Sequence, residues 1–183
     1  MISLKQNSSY RLEQAKKLYS EGNYVASSEI CDILTRAGYT SPALLHLKAL
    51  RLIRIDSLDN AKRLLNRCLQ SSPSFGDAWL DLGYIYAKQG HDDQALVAYY
   101  KAISIDQRCS AAYNGVAVVY ARKGDSKSAA DILRRSASCA WVHPSRRRKF
   151  RILLPSRNDS AMNYLFCHDV TSLQDNIYKR QAL

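Results

Sequence analysis

Residues 76–109 have the sequence GDAWLDLGYIYAKQGHDDQALVAYYKAISIDQRC, and this stretch contains the pattern that decides the fold. Ala78, Leu82 and Ile85 lie three and four residues apart, a spacing typical of one apolar face of a helix. Gly90 interrupts the pattern near its middle, where glycine can adopt the positive backbone angle that ends a helix. The stretch therefore predicts two short helices joined by a turn.

The same pattern recurs every 34 residues along the chain. In residues 76–109 its positions are Trp79, Leu82, Gly83, Tyr86, Ala95, Tyr99 and Ala102. One step towards the C terminus gives Tyr113, Val116, Ala117, Tyr120, Ala129 and Leu133. One step towards the N terminus gives Leu45, Ala49, Leu52, Ala61, Leu65 and Cys68, and a second gives Ala15, Leu18, Gly22, Ser27, Cys31 and Leu34. An internal period of this length indicates stacked supersecondary units.

The repeated positions make physical sense as the contacts of helical hairpins. Two sets are small, as expected where the two helices of a hairpin approach most closely: Ala15, Ala49, Gly83 and Ala117 on the first helix, and Ser27, Ala61, Ala95 and Ala129 on the second. Large aromatic residues such as Trp79 and Tyr113 would fill the space between neighbouring hairpins. Pro42 and Pro73 lie at junctions between repeats, where no helix interior is interrupted.

In these residues the chain resembles the tetratricopeptide-repeat family. The resemblance implies an all-α fold, a right-handed superhelix of about four helix-turn-helix repeats plus a C-terminal capping helix or helices. The repeats are predicted at residues 8–41, 42–75, 76–109 and 110–143. Residues 1–143 would thus form the repeat domain, and residues 144–183 a basic linker and a C-terminal cap or tail.

The resemblance also implies that repeat positions 2, 5, 9 and 12 to 13 face a concave groove. These positions carry Leu12, Lys16, Tyr19, His46, Leu50, Ile53, Arg54, Asp77, Leu80, Tyr84, Lys88, Asn114, Val118 and Arg122. A lining of apolar and cationic side chains suits a peptide with apolar anchors and some acidic residues. The alternative is that these residues form merely solvated faces. The carboxylate clamp of chaperone-associated members is not expected, because Leu80, Tyr84, Ala111 and Val118 occupy its places.

The net charge of +11 is concentrated towards the C terminus. There are 19 basic and 13 acidic residues before Pro144, and 8 basic and 3 acidic residues from it onward. One basic run contributes most of the excess: Arg146, Arg147, Arg148, Lys149 and Arg151. Clustered cations attract polyanions regardless of sequence, so this run could contact nucleic acid, anionic lipid or a protein partner, or belong to a solvated linker or cap.

Other sequence features bound the class of protein. The five cysteines, at 31, 68, 109, 139 and 167, show no zinc or redox spacing and are interpreted as reduced, mostly buried thiols. The sequence contains no phosphate-binding glycine loop, nucleophile elbow or paired zinc-binding histidines. We therefore expect no enzyme, cofactor or metal site. Without a signal peptide or long apolar run, a cytoplasmic location is predicted, with a nuclear one as the alternative.

These features together predict a binding protein. The first hypothesis is a protein-interaction module, a scaffold or chaperone-like subunit of a complex, that holds a partner peptide in its groove. The alternative is a basic nucleic-acid-associated protein that uses the convex face and the C-terminal tail. Self-association into a homo-oligomer is left open by the sequence.

Overall fold

The computed structural model describes residues 2–140, with side chains described from residue 7 to residue 136. Within this range there are eight α-helices and no strand: α1 Ile2–Ser20, α2 Tyr24–Arg36, α3 Pro42–Arg54, α4 Leu58–Ser71, α5 Gly76–Lys88, α6 Asp92–Ile105, α7 Ser110–Arg122 and α8 Ser126–Ala140. The all-α prediction is confirmed for these residues. The predicted cap in residues 144–183 and the basic run from Arg146 to Arg151 lie outside the described range.

Consecutive helices pack in pairs, α1 with α2, α3 with α4, α5 with α6 and α7 with α8, and each pair packs on the next. The predicted small positions are buried at the helix crossings, where Ala15, Ala49, Ala61 and Ala95 have no exposed surface. In the first pair the Ser27 hydroxyl also donates a 2.8 Å hydrogen bond to the carbonyl of Ala15. A small residue thus lets each hairpin close, and the serine ties α2 directly to the backbone of α1.

The turns inside the hairpins use a left-handed residue at one register position. Glycine occupies it in the first, third and fourth pairs, with φ of 79° at Gly90. In the second pair the same position is Asp56, with φ of 59°. Aspartate tolerates this conformation better than most residues but at a cost that glycine avoids. The sequence pattern did not predict that Asp56 would replace the turn glycine.

The proline junctions also have local explanations. Pro42 is the first residue of α3, where a missing amide proton costs nothing. The Ser41 side chain before it accepts a 3.1 Å hydrogen bond from the Leu44 amide and so caps the helix. At the next junction the carbonyl of Pro73 accepts a 2.8 Å hydrogen bond from the Trp79 indole. This bond fixes the approach of the chain to α5.

Tyr99 of α6 is closely packed in the described core, with a side chain only 1% exposed. Its ring lies between two helical glycines, Gly83 on α5 and Gly115 on α7. A β-carbon at Gly83 would come within 2.5 Å of the ring, and one at Gly115 would come closer still. Gly83 was predicted as a close-contact position, whereas Gly115 was not singled out. The Tyr99 ring therefore packs against two hairpins, in a space that exists only because positions 83 and 115 are glycine. We call this space the glycine slot.

The exposure of the residues equivalent to Tyr99 in the other repeats shows where the described array ends. The equivalent residues Cys31 and Leu65 are 3% and 0% exposed because a following hairpin covers them. The equivalent residue on α8, Leu133, is 41% exposed within the described part of the chain. Three apolar clusters thus follow one another through the four described hairpins, and Leu133 remains an exposed apolar side chain on α8.

Candidate peptide-binding groove

The first helices of successive hairpins, α3, α5 and α7, present the central part of the predicted groove. Leu50, Leu80 and Val118 are half-buried there, and Leu50 and Leu80 pack against the core residues beneath them. Polar side chains from the same set lie beside them, with His46 largely buried, Asn114 half-buried and Asp77 exposed. Semi-exposed apolar groups next to a few polar ones are the usual composition of a recognition surface.

Three predicted groove residues belong to the core instead of lying at an open surface. Leu12 and Tyr84 are each 4% exposed, and Ile53 is 8% exposed. They pack into the apolar clusters under the first helices, because helix-to-helix packing leaves no space between them for a ligand. Their expected contribution is to support the surface residues above them. Tyr84 is therefore a poor site for testing peptide binding, since changing it would disturb folding.

Adjacent first helices are joined by a buried polar pair. The Nε2 atom of His46 on α3 lies 2.7 Å from a carboxylate oxygen of Asp81 on α5, and both side chains are largely buried. Burial alone would lower the pKa of His46, but the hydrogen bond and the charge of Asp81 outweigh it and raise the pKa above its ordinary value of 6.5. The Phe75 ring packs on the imidazole, 5.2 Å away between centroids. The pair locks the second and third hairpins together at the groove floor.

The repeat pattern predicts that His46 faces the groove, but it does not point to Asp81 as the partner of this histidine. The two residues are 35 positions apart, one step more than the repeat period. Neighbouring first helices lie side by side in a stacked array, so residues separated by about one period are natural contacts. Polar residues at that separation are the sequence signal for such a pair.

The predicted groove cations connect neighbouring hairpins. The guanidinium of Arg54 lies 3.4 Å from the ring centroid of Tyr24 on the preceding hairpin. The ammonium group of Lys88 lies 2.8 Å from a carboxylate oxygen of Asp56, again on the hairpin before it. Each contact is made to a residue of the preceding hairpin, so the two cations link neighbouring repeats.

Arg122 continues the series on α7. It donates a 2.7 Å hydrogen bond to the carbonyl of Ala87 and pairs with the carboxylate of Asp92, both in the third hairpin. Lys16 on α1 differs, because it pairs within its own helix with Glu13 at 2.7 Å. A partner with acidic residues would therefore compete with protein groups that already hold these cations.

Tyr19 lies at the other end of the predicted set, where the first hairpin meets the second. Its ring makes an edge-to-face contact with Tyr24, with 5.0 Å between centroids. Burial is the main reason that the pKa of its phenol is raised to about 12, and the nearby Arg54 opposes that shift. The phenol is thus neutral at physiological pH and can donate a hydrogen bond.

Comparison with known proteins identifies the architecture. A family model described as the tetratricopeptide repeat matches residues 76–109. Residues 76–109 therefore contain a tetratricopeptide repeat. The four stacked hairpins of residues 2–140 agree with the repeat pattern of the sequence. Repeats of this family are generally protein-interaction modules.

Solved tetratricopeptide-repeat structures superpose on most of the chain. MamA matches with a TM-score of 0.63 and 24% identity over 73% of this chain and 78% of MamA. TTC0263, a thermophilic TPR protein from Thermus thermophilus, matches with a TM-score of 0.63 and 18% identity over 76% of this chain and 77% of that chain. YrrB, a TPR protein with an unusual peptide-binding site, matches at 0.60 and 18% over 74% of this chain and 70% of that chain. No curated protein sequence matches.

The described residues contain neither a metal-binding cluster nor a helix that could span a membrane. No group of histidine, cysteine, aspartate or glutamate side chains in this part of the chain could hold a metal ion. No described helix is long and apolar enough to cross a membrane. Cys31, Cys68 and Cys109 are free thiols, and burial is the main reason that their pKa values are raised.

Proposed function

We propose that this protein binds an extended or helical peptide of a partner protein across α3, α5 and α7, and acts as an assembly or scaffold subunit. The observation that carries the proposal is the half-buried apolar row of Leu50, Leu80 and Val118 on three successive first helices. A partner would complete the burial of these side chains and gain affinity from the apolar surface removed from water.

The polar residues of the surface would fix the orientation of the peptide. Asp77 is exposed, and Asn114 can both donate and accept hydrogen bonds to a peptide backbone. His46 is held by Asp81 and contributes a rigid floor. Because Lys88 and Arg122 are already engaged by Asp56 and Asp92, affinity is expected to come from apolar anchors, with acidic anchors of the peptide secondary.

Photo-crosslinking under native conditions tests this proposal. A photoreactive amino acid is placed at Asn114 in the groove, and in a separate variant at Val97, which is 61% exposed on the outward side of α6. A partner held in the groove should crosslink through position 114 and not through position 97. Crosslinks from both positions in equal yield would contradict a groove site.

A matched pair of substitutions measures the energetic role of the apolar row. Leu80→Glu should abolish capture of the crosslinked partner, because a carboxylate would have to lose its water to enter the interface. Val97→Glu introduces the same charge at an exposed apolar residue outside the row and should leave capture unchanged. Val118→Glu tests the neighbouring hairpin separately. Circular dichroism must show native helicity for each variant, and undiminished capture by both groove variants would refute the proposal.

A further inference from the structure

The groove residues of α3, α5 and α7 form a grid, because repeat positions 2, 5 and 9 recur on each of these helices. In a stacked array, equivalent positions of neighbouring repeats follow one another along the same side of the molecule. We call these residues the groove grid: Ala43, Asp77 and Ala111 at position 2, His46, Leu80 and Asn114 at position 5, and Leu50, Tyr84 and Val118 at position 9. Asp77 therefore lies on the middle helix, with a small side chain at the same position on each neighbouring helix.

Asp77 carries a charge that has no partner in the described part of the chain. Its side chain is exposed and forms no ion pair or hydrogen bond with any described residue. His46, which is positively charged when protonated, is held by Asp81 instead, 2.7 Å from a carboxylate oxygen. Ala43 and Ala111, the neighbours of Asp77 in the groove grid, are uncharged. Among the described residues, the groove thus offers an unpaired negative charge at this position.

Contacts on both sides of Asp77 along α5 place it at the groove. The Phe75 ring, two residues earlier, packs on the imidazole of His46 with 5.2 Å between centroids. Asp81, one turn later, contacts the same imidazole. Residues three and four apart share one face of a helix, so Asp77 lies on the same face as Leu80 and Asp81. The carboxylate of Asp77 is therefore one helical turn from Leu80 of the apolar row.

The predicted groove cations lie too far from Asp77 to neutralise it. Lys88 follows it by about three turns of the same helix, which is about 16 Å along the axis. Arg54 and Arg122 occupy the same repeat position as Lys88 on the neighbouring helices. Charges separated by more than about 8 Å are largely screened at physiological ionic strength. Lys16 on α1 is paired within its own helix. The groove thus has an acidic edge at the start of α5 and a basic edge at the opposite end of the first helices.

We propose that the groove selects peptides with an arginine or lysine beside an apolar residue, and that this cation pairs with Asp77. The selection rests on the proposed peptide-binding function and adds the chemistry of the partner. Long basic side chains pack their methylene groups on apolar surface while the charged end stays hydrated. The stem of the cation lies on Leu80, and the small Ala43 and Ala111 leave space for its charged end. An acidic side chain at the same place is repelled by the carboxylate of Asp77.

A selection from random peptides tests this preference. The full chain is immobilised and exposed to a displayed library of peptides of about 12 residues, which at about 3.3 Å per residue can cross three helices about 10 Å apart. Sequencing should show arginine and lysine enriched beside apolar residues. The net charge of +11 works against this outcome, because it favours acidic peptides over the whole surface. Enrichment of acidic or uncharged peptides would overturn the proposal.

Fluorescence anisotropy with the most enriched peptide measures the contribution of Asp77. Asp77→Asn should weaken binding about threefold, as expected for an exposed ion pair, and Asp77→Lys should weaken it about tenfold. A peptide with glutamate in place of the basic residue should bind Asp77→Lys better than it binds the unmodified chain. Glu29→Lys makes the same charge reversal at an exposed carboxylate on α2 and should leave affinity unchanged. Circular dichroism must show native helicity for each variant.

The groove site and its charge preference can fail separately. Loss of binding in Val118→Glu together with unchanged binding in Asp77→Lys would leave the groove site in place and overturn the pairing with Asp77. Equal weakening by Glu29→Lys and Asp77→Lys would show a general electrostatic effect and would also overturn that pairing. Undiminished binding by Val118→Glu would show that the peptide lies elsewhere and would overturn both proposals. So would a library from which no peptide is enriched.

Discussion

The glycine slot around Tyr99 allows one quantitative test of how the hairpins pack. In Gly115→Ala, the new methyl group would lie within 2.5 Å of the Tyr99 ring, and the ring has little room to move because it is only 1% exposed and packs so near Gly83 that a β-carbon there would lie 2.5 Å from it. Overpacking of this kind costs about 1–3 kcal/mol. Alanine recovers up to about 1 kcal/mol through its higher helix propensity. Because the ring is pinned between two helices, we expect a net loss of about 1–2 kcal/mol in the free energy of unfolding.

Urea unfolding followed by circular dichroism measures this loss, and a second glycine provides the control. Gly76→Ala places a methyl group 3.4 Å from Ile105, an ordinary contact, so stability should be unchanged or slightly increased. Tyr99→Leu removes the ring that the new methyl group of Gly115→Ala would overlap. The double variant should therefore lose less free energy of unfolding than the two single variants lose together. A Gly115→Ala protein as stable as the unmodified chain, with additive effects in the double variant, would refute the slot argument.

Three further expectations concern contacts between hairpins. The raised pKa of His46 means that its pairing with Asp81 stabilises the fold fully below the ordinary pKa of 6.5 and that this contribution is lost as pH rises through the higher folded-state pKa. Melting temperatures measured from pH 5.5 to pH 9 should show this fall in the unmodified chain, and Asp81→Asn should abolish it. Arg122→Gln should destabilise the fold by about 1 kcal/mol in urea titrations, because it also loses a partly buried hydrogen bond to a carbonyl. Lys123→Gln, at a fully exposed ion pair, should have no measurable effect. Asp56→Ala should lower the free energy of unfolding by about 1 kcal/mol, because alanine tolerates the positive φ of this position poorly. Asp56→Gly should not lower it. Equal melting temperatures for the two variants would exclude turn strain as the cause.

The hairpin architecture could be predicted from the sequence because it depends on residue size at fixed intervals. A small residue such as Ala49 or Ala95 is required wherever two helices cross closely, and no other arrangement explains its recurrence with the same period. Pro42 is confirmed as a helix boundary by local chemistry that the sequence already displays. These requirements act within one hairpin or between adjacent ones, so they appear directly in the linear pattern.

The candidate site was harder to predict from the sequence, because side chains at the same repeat position differ in their burial and in their contacts. Leu50 and Tyr84 both occupy position 9 of their repeats, yet Leu50 remains half-exposed while Tyr84 is buried. Lys16 and Arg122 were grouped as groove cations, but one pairs within its own helix and the other clasps the preceding hairpin. The register locates a backbone position, whereas side-chain length and the neighbours on the next helix decide where the functional group goes.

By itself, the sequence determined the number of hairpins, their order and the helix faces that pack, because a repeated pattern of small and large residues permits few other solutions. Only the tertiary structure decided which residues meet between hairpins. The pairing of His46 with Asp81 and the insertion of Tyr99 between Gly83 and Gly115 are contacts across successive repeats. They depend on distances of a few tenths of an ångström and on burial, which no linear spacing specifies.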